Sequence, residues 1–180
     1  MNNASTPPDA EALYARLLDQ VRAWLPAQRA EPTLVGIYSG GAWLAERLHA
    51  DLGLRTPLGV VSSTYHRDDF ATRGLHPSGN RTDLPFDVNG RAILLVDDVL
   101  YTGRTTRAAI NELYDFGRPS RVDLAVLVDR GGRELPVCAS LVGATIVLAA
   151  SRMLELRRAD ADKDGATGDD ARLEFIESEV

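Results

Sequence analysis

The chain has 180 residues, 44% of them hydrophobic and 26% charged, with 15 glycines and 9 prolines, a composition that fits one ordinary globular domain. Twenty basic residues against 26 acidic ones give a net charge of -6, which disfavours a broadly basic nucleic-acid protein while leaving a local basic face open. Lys163 is the sole lysine, set in the acidic stretch ADADKDGATGDD, so a phosphate-loop NTPase and a Schiff-base enzyme, which both need a lysine in the pocket, are excluded.

Residues 1–8 are a polar leader expected to be disordered. Pro7, Pro8 and Asp9 mark a helix start, and Leu13, Leu17, Leu18, Val21, Trp24 and Leu25 recur at helical spacing, which predicts an amphipathic helix to about Arg29. Thr33–Tyr38 is a short apolar run ending at Ser39, Gly40 and Gly41, and Ala42, Leu44, Ala45 and Leu48 continue as a helix to about Leu52. Trp24 and Trp43 are assigned packing roles on these helices. Leu58–Tyr65 reads as a strand, and the polar stretch 66–90 as a flexible loop or hairpin, because unstructured connections this long are usually functional lids or disordered.

Ala92–Val96 is a near-continuous apolar run, as a strand covered on both faces requires. Thr105–Phe116 carries a helical pattern closed by Gly117 and Pro119, and Val122–Val128 reads as another buried strand. Cys138, the only cysteine, rules out an intrachain disulfide and reads as a small buried hydrophobe. Thr145–Ala149, Met153–Leu156 and Leu173–Ile176 are weaker strand candidates, and 159–171 is an acidic surface loop. No apolar run approaches the roughly 20 residues of a membrane span, and the start of the chain lacks a basic segment followed by an apolar one, so a cytoplasmic protein is expected.

Strands alternating with helices predict a single α/β domain over 1–180, with a central, mostly parallel sheet flanked by helices. In such sheets ligands bind beyond the carboxyl ends of the strands, which directs attention to Ser39, to Asp97–Thr105 and to Asp129. The segment Ile93–Thr106, ILLVDDVLYTGRTT, is the most informative. A buried strand runs into Asp97 and Asp98, and Thr102, Gly103, Arg104, Thr105 and Thr106 then open a helix. Such a turn offers backbone N–H groups, hydroxyls and the positive end of a helix dipole to one anion without any lysine. Two carboxylates beside a phosphate would repel it, so their partners should be hydroxyls and a divalent cation, as a sugar phosphate provides. The plainer alternative is a capping Asp97 and a solvated Asp98.

ILLVDDVLYTGRT resembles the phosphoribosyl pyrophosphate (PRPP) signature of type I phosphoribosyltransferases, and VDDVLYTGRT is similar to the variant found in regulators of pyrimidine operons that carry uracil phosphoribosyltransferase activity. LVGIYSGGAWLAERL, TYHRDDF and FGRPSRVDLAVLVDRGGRELPV agree in order, so the resemblance covers most of Thr33–Val137. It implies the type I fold, with a small hood and a flexible lid loop, and a glycosyltransferase that joins uracil to PRPP to give UMP and pyrophosphate with Mg²⁺. Transfer to a purine or orotate, or a protein that senses UMP and PRPP while binding a pyr mRNA leader, remain open beside it. A homodimer or higher oligomer is also implied.

By the same resemblance, Asp97 and Asp98 face the ribose hydroxyls and meet the metal only through ribose or water. Val99, Leu100, Tyr101, Thr102, Gly103, Arg104, Thr105 and Thr106 bind PRPP, the last six at its 5′-phosphate. Ser39, Gly40 and Gly41 form the pyrophosphate loop, where relatives often carry a basic residue and this chain has glycine. Arg67, at the start of the lid, and Arg133 are the candidates to neutralise the pyrophosphate, and Arg67 is expected to assist turnover. Val128, Asp129 and Arg130 are placed at the base, although an arginine after a strand often simply pairs with a neighbouring acid.

Overall fold

The computed structural model describes residues 7–62, 81–158 and 172–179. Helix α1 spans Ala10–Trp24, where Asp9 caps the N-terminus by accepting from the amides of Glu11 and Ala12. It ends five residues short of the predicted Arg29, in a single 3₁₀ turn over Leu25–Ala27, because Pro26 has no amide to continue the ladder. Strand β1 (Thr33–Ile37) leads into α2 (Gly40–Leu52), which crosses to β2 (Gly59–Val61). Strand β3 (Ala92–Leu100), α3 (Arg104–Phe116) and β4 (Arg121–Asp129) form the next unit. Strands β5 (Leu141–Thr145), β6 (Arg152–Arg158) and β7 (Leu173–Glu179) follow.

Strands β1 to β5 make one parallel sheet in the order β2-β1-β3-β4-β5, and β6 pairs with β7 in a separate antiparallel sheet. The predicted α/β architecture is therefore present, and alternation along each strand divides two cores between the faces. Leu34, Leu94, Val96 and Leu127 pack under α1 and α2, whereas Val35, Ile37, Ile93, Leu95 and Val126 pack with Ala109 and Leu113 of α3. The late strands β6 and β7 pack on the first face, burying Leu154, Leu156, Leu173 and Phe175 beside α1. Among the described residues no helix is long and apolar enough to cross a membrane.

Three local expectations are corrected. Strand β3 continues through Asp97 and Asp98 to Leu100, because β4 pairs with it as far as Leu100↔Asp129. Strand β5 begins at Leu141, so Thr145 ends it and 146–149 follow as irregular chain. Cys138 is exposed: it lies in the connection before β5, where alternate residues face solvent. Of the loop or hairpin expected over 66–90, the structure describes 81–90. Asp83 pairs with Val60 in both directions at 2.8 and 2.9 Å, Leu84 and Phe86 pack on the second core, and Val88 is buried. Residues 1–6, 63–80 and 159–171, and with them Arg67, lie outside the described residues.

Candidate functional site

The sheet order reverses direction between β1 and β3, which makes their carboxyl ends the topological switch point where open α/β sheets hold ligands. The loops that leave these two ends are in contact. A Cβ on Gly41 would stand 2.9 Å from Asp97 Cα, in the backbone, and one on Gly40 would stand 2.7 Å from Cγ of the Asp98 side chain, distances at which the neighbour has to shift. The glycines thus let the first turn of α2 rest directly on the acidic end of β3. At Gly40 the space a side chain would enter holds the Asp98 carboxylate, which would have to move for any larger residue there. Ser39 is the N-cap residue of α2 but its side chain makes no capping bond, and the Tyr38–Ser39 peptide is cis.

Asp97 is 4% exposed and its Oδ1 accepts from the Asp98 amide at 3.0 Å. Asp98 is half-buried; Oδ1 accepts from the Val99 amide at 2.9 Å while Oδ2 lies against Gly40. The Asp98 side chain lies against the start of α2 at Gly40, while Asp97 is buried. Val99 packs on the first core and Leu100 is buried in the second, so their side chains build the floor of the site and only their backbone can meet a ligand.

Gly103 caps α3 with φ +91°, a left-handed conformation that an L side chain rarely adopts, and it makes no side-chain cap bond. Thr102 and Thr106 are buried, Thr105 is half-buried, and the Arg104 amide reaches Thr102 Oγ1 at 3.3 Å. Thr106 Oγ1 is buried with no hydrogen-bond partner in the protein. An orphaned hydroxyl in the first turn of a helix with no side-chain cap is what an anion-binding N-terminus would leave without its ligand. The Arg104 side chain turns away from this turn to pair with Glu134 at 2.6 and 2.8 Å.

The loop after β4 closes the site's other side. Val128 is buried, and the half-buried Asp129 accepts from the Gly131 amide at 2.9 Å and pairs with Arg133 at 2.5 Å. Arg130 is 7% exposed, stacks its guanidinium 3.9 Å from the centre of the Tyr101 ring, and leaves Nε without a partner. Tyr101 itself is partly exposed. The Arg133 guanidinium donates to the carbonyls of Leu100, Tyr101, Gly131 and Val137 and pairs with Asp129, bracing two loops.

The structure therefore brings together Ser39–Gly41, Asp97, Asp98, Tyr101–Thr106 and Asp129–Arg130. Glu134 and Gly132 escaped the sequence reading. Gly132, at φ +68°, leaves room for the Tyr101 ring, whose Cδ2 would be 3.0 Å from a Cβ there. The Gly131-Gly132 pair directly after a buried strand was the available signal. A Mg²⁺ fits this donor set only as an ion carried mainly by a substrate. Among the described residues no three acidic, His or Cys side chains converge, while Asp98 presents one carboxylate oxygen at the junction of the two loops.

Residues 6–150 match the family model described as the phosphoribosyl transferase domain. The chain is 56% identical over 151 residues to "Bifunctional protein PyrR" of Ralstonia nicotianae, with 83% of this chain and 86% of that protein covered. It is 47% identical over 153 residues to the protein of the same name from Nitrosococcus oceani, with 83% and 86% covered. Among solved structures, a hypoxanthine-guanine phosphoribosyltransferase from Bacillus anthracis superposes with TM-score 0.62 at 16% identity, covering 79% of this chain and 84% of that one. That likeness establishes a shared fold. With the family model spanning most of the chain and relatives near half identity, the chain belongs to the phosphoribosyltransferase domain family, in its PyrR group.

Proposed function

We propose that the protein is a uracil phosphoribosyltransferase of the PyrR type, forming UMP and pyrophosphate from uracil and PRPP, and a regulator of pyrimidine operon expression. The observation that carries this is the junction at the β1/β3 switch point, where a side-chain-free turn, a carboxylate and a glycine-capped helix start meet. Each part matches a piece of a phosphoribosyl donor. Amides and hydroxyls of 102–106 suit the 5′-phosphate, helped by the α3 dipole, worth up to about 2 kcal/mol in a partly buried site. Asp98, with Asp97 behind it, suits the ribose diol. Ser39, Gly40 and Gly41 suit the pyrophosphate through backbone amides. Arg130 and the backbone near Val128 suit the carbonyls of a pyrimidine, with the Tyr101–Arg130 stack beside them.

No nucleophilic side chain is needed. Breaking the C1–pyrophosphate bond develops positive charge on the ribose and negative charge on the leaving group, and the protein contributes by holding both ends and excluding water. A Mg²⁺ carried by the substrate would supply neutralisation of pyrophosphate charge, and Asp98 would orient its water shell. Arg67 supplies a further cation in this reading. The site works in the cytoplasm, on a homodimer or larger assembly.

The test is incubation with PRPP, Mg²⁺ and each nucleobase in turn, with nucleotide formation measured. UMP from uracil alone is expected; a purine nucleotide or orotidylate instead would move the protein to another phosphoribosyltransferase class. The regulatory half is tested by retention of a pyr leader RNA, expected to strengthen with UMP, and its absence at low salt would remove RNA as a partner.

A further inference from the structure

We propose that Arg133 is a positioning residue for the phosphate cradle, turning the amides of Tyr101, Thr102 and Gly103 toward the anion from the opposite side of the loop. This rests on the phosphoribosyltransferase reading above. Leu100 O accepts from the Arg130 amide at 3.1 Å and from Arg133 Nη1 at 3.2 Å; Tyr101 O accepts from the same Nη1 at 2.6 Å. Thr102 O accepts from the amides of Glu134 and Leu135 at 3.0 and 3.1 Å. Three consecutive carbonyls are thus held by the 130–135 loop.

In a trans peptide the C=O and the following N–H point in opposite directions. Fixing the carbonyls of residues 100, 101 and 102 toward that loop therefore directs the N–H groups of Tyr101, Thr102 and Gly103 away from it. Successive amides aimed the same way make an anion-binding concavity, and here it is continuous with the first turn of α3, where Thr106 Oγ1 is orphaned. In an extended continuation of β3, Tyr101 O would alternate away from the β4 side. The guanidinium provides the donor that captures it. Arg133 can do so because its other nitrogens are fixed by Asp129 and Val137 O. A planar, multi-donor cation suits such bracing, and a lysine ammonium cannot span the same set of carbonyls.

The consequence is a readout specific to phosphate. UMP and uridine differ only by that group, so the ratio of their affinities isolates the cradle. For Arg133→Met the preference for UMP over uridine is expected to fall about tenfold, the scale of one charge-assisted hydrogen bond, with uridine affinity held. Arg133→Lys, which keeps the positive charge beside Asp129, carries the test if the Met variant does not fold, as judged by circular dichroism; a reduced ratio is expected there too. A wild-type preference that persists in either folded variant would overturn the role of Arg133. Equal loss of both ligands would do the same, marking the brace as general scaffolding. Wild-type protein with no preference for UMP over uridine would instead overturn the cradle reading itself.

Discussion

Gly40 and Thr106 are the residues whose environments speak most directly to chemistry. Gly40→Ala places a methyl group where the Asp98 carboxylate stands, and the carboxylate is the element that must yield. kcat/KM for UMP formation is expected to fall at least about tenfold, with Tm nearly held; unchanged kinetics would show that Asp98 need not sit against the turn. Thr106→Val replaces a buried, unpartnered hydroxyl with a methyl of similar shape. Stability should be held or slightly raised, because the orphaned group no longer has to be desolvated. KM for PRPP should rise several-fold, and an unchanged KM would remove Thr106 from the phosphate site. At this scale the sequence disclosed residue types but not directions. Arg133 and Arg130 look equivalent in DRGGR, yet one is tied to five protein acceptors and the other keeps a buried nitrogen unpaired.

At the scale of elements, the local signals in the chain were sufficient wherever they were covalent or capping in nature. Asp9 caps α1 as its position before an amphipathic run implies, and Asp9→Ala is expected to cost about 1 kcal/mol, measurable by urea unfolding. Pro26 stops the helix earlier than hydrophobic periodicity alone suggested, because the apolar stripe extends past the point where the backbone ladder can continue. Periodicity also missed the length of β3. Asp97 and Asp98 look like a turn by composition, yet pairing with β4 carries the strand through them. Buried strands at a sheet centre tolerate polar residues at their carboxyl ends, since that end opens onto the ligand crevice.

For the molecule as a whole, attachment of the β6–β7 sheet depends on a charged cluster. Glu11 bonds Arg47 at 2.8 and 2.9 Å and also accepts from the Leu173 amide at 2.7 Å, tying α1 to α2 and to the start of β7. Arg47 stacks over Tyr14, whose hydroxyl donates to Asp51 at 2.6 Å. Burial, reinforced by the bond to Asp51, raises the Tyr14 pKa well above its usual range. For Glu11, burial acts to raise the pKa, but the Arg47 and Leu173 bonds outweigh it and hold the carboxyl below its ordinary 4.5. A depressed folded-state pKa contributes stability that is complete above the unfolded value and lost as pH falls through the folded one. Glu11→Gln is therefore expected to lower Tm at neutral pH, with the gap to wild type closing as pH falls below the ordinary carboxylate range. A gap that stays constant across that range would mean the clamp works without its charge.

The amino-acid sequence by itself determined the α/β class, the order of its strands and helices along the chain, and the acidic pair followed by a helix start within 97–106, because these follow from burial periodicity, glycine placement and helix-start chemistry, all of which are local. It also determined that arginine, backbone amide or metal must do the work of a phosphate-gripping lysine, since Lys163 stands alone in an acidic stretch. Only the tertiary structure decided that the glycines of 40 and 41 serve to seat α2 on the acids, that Asp97 is buried while Asp98 lies against α2, and that Arg133 faces inward. Each of these depends on which loop lies beside which at the switch point of the sheet, and a contact between residues some sixty positions apart leaves no trace in the spacing of either segment.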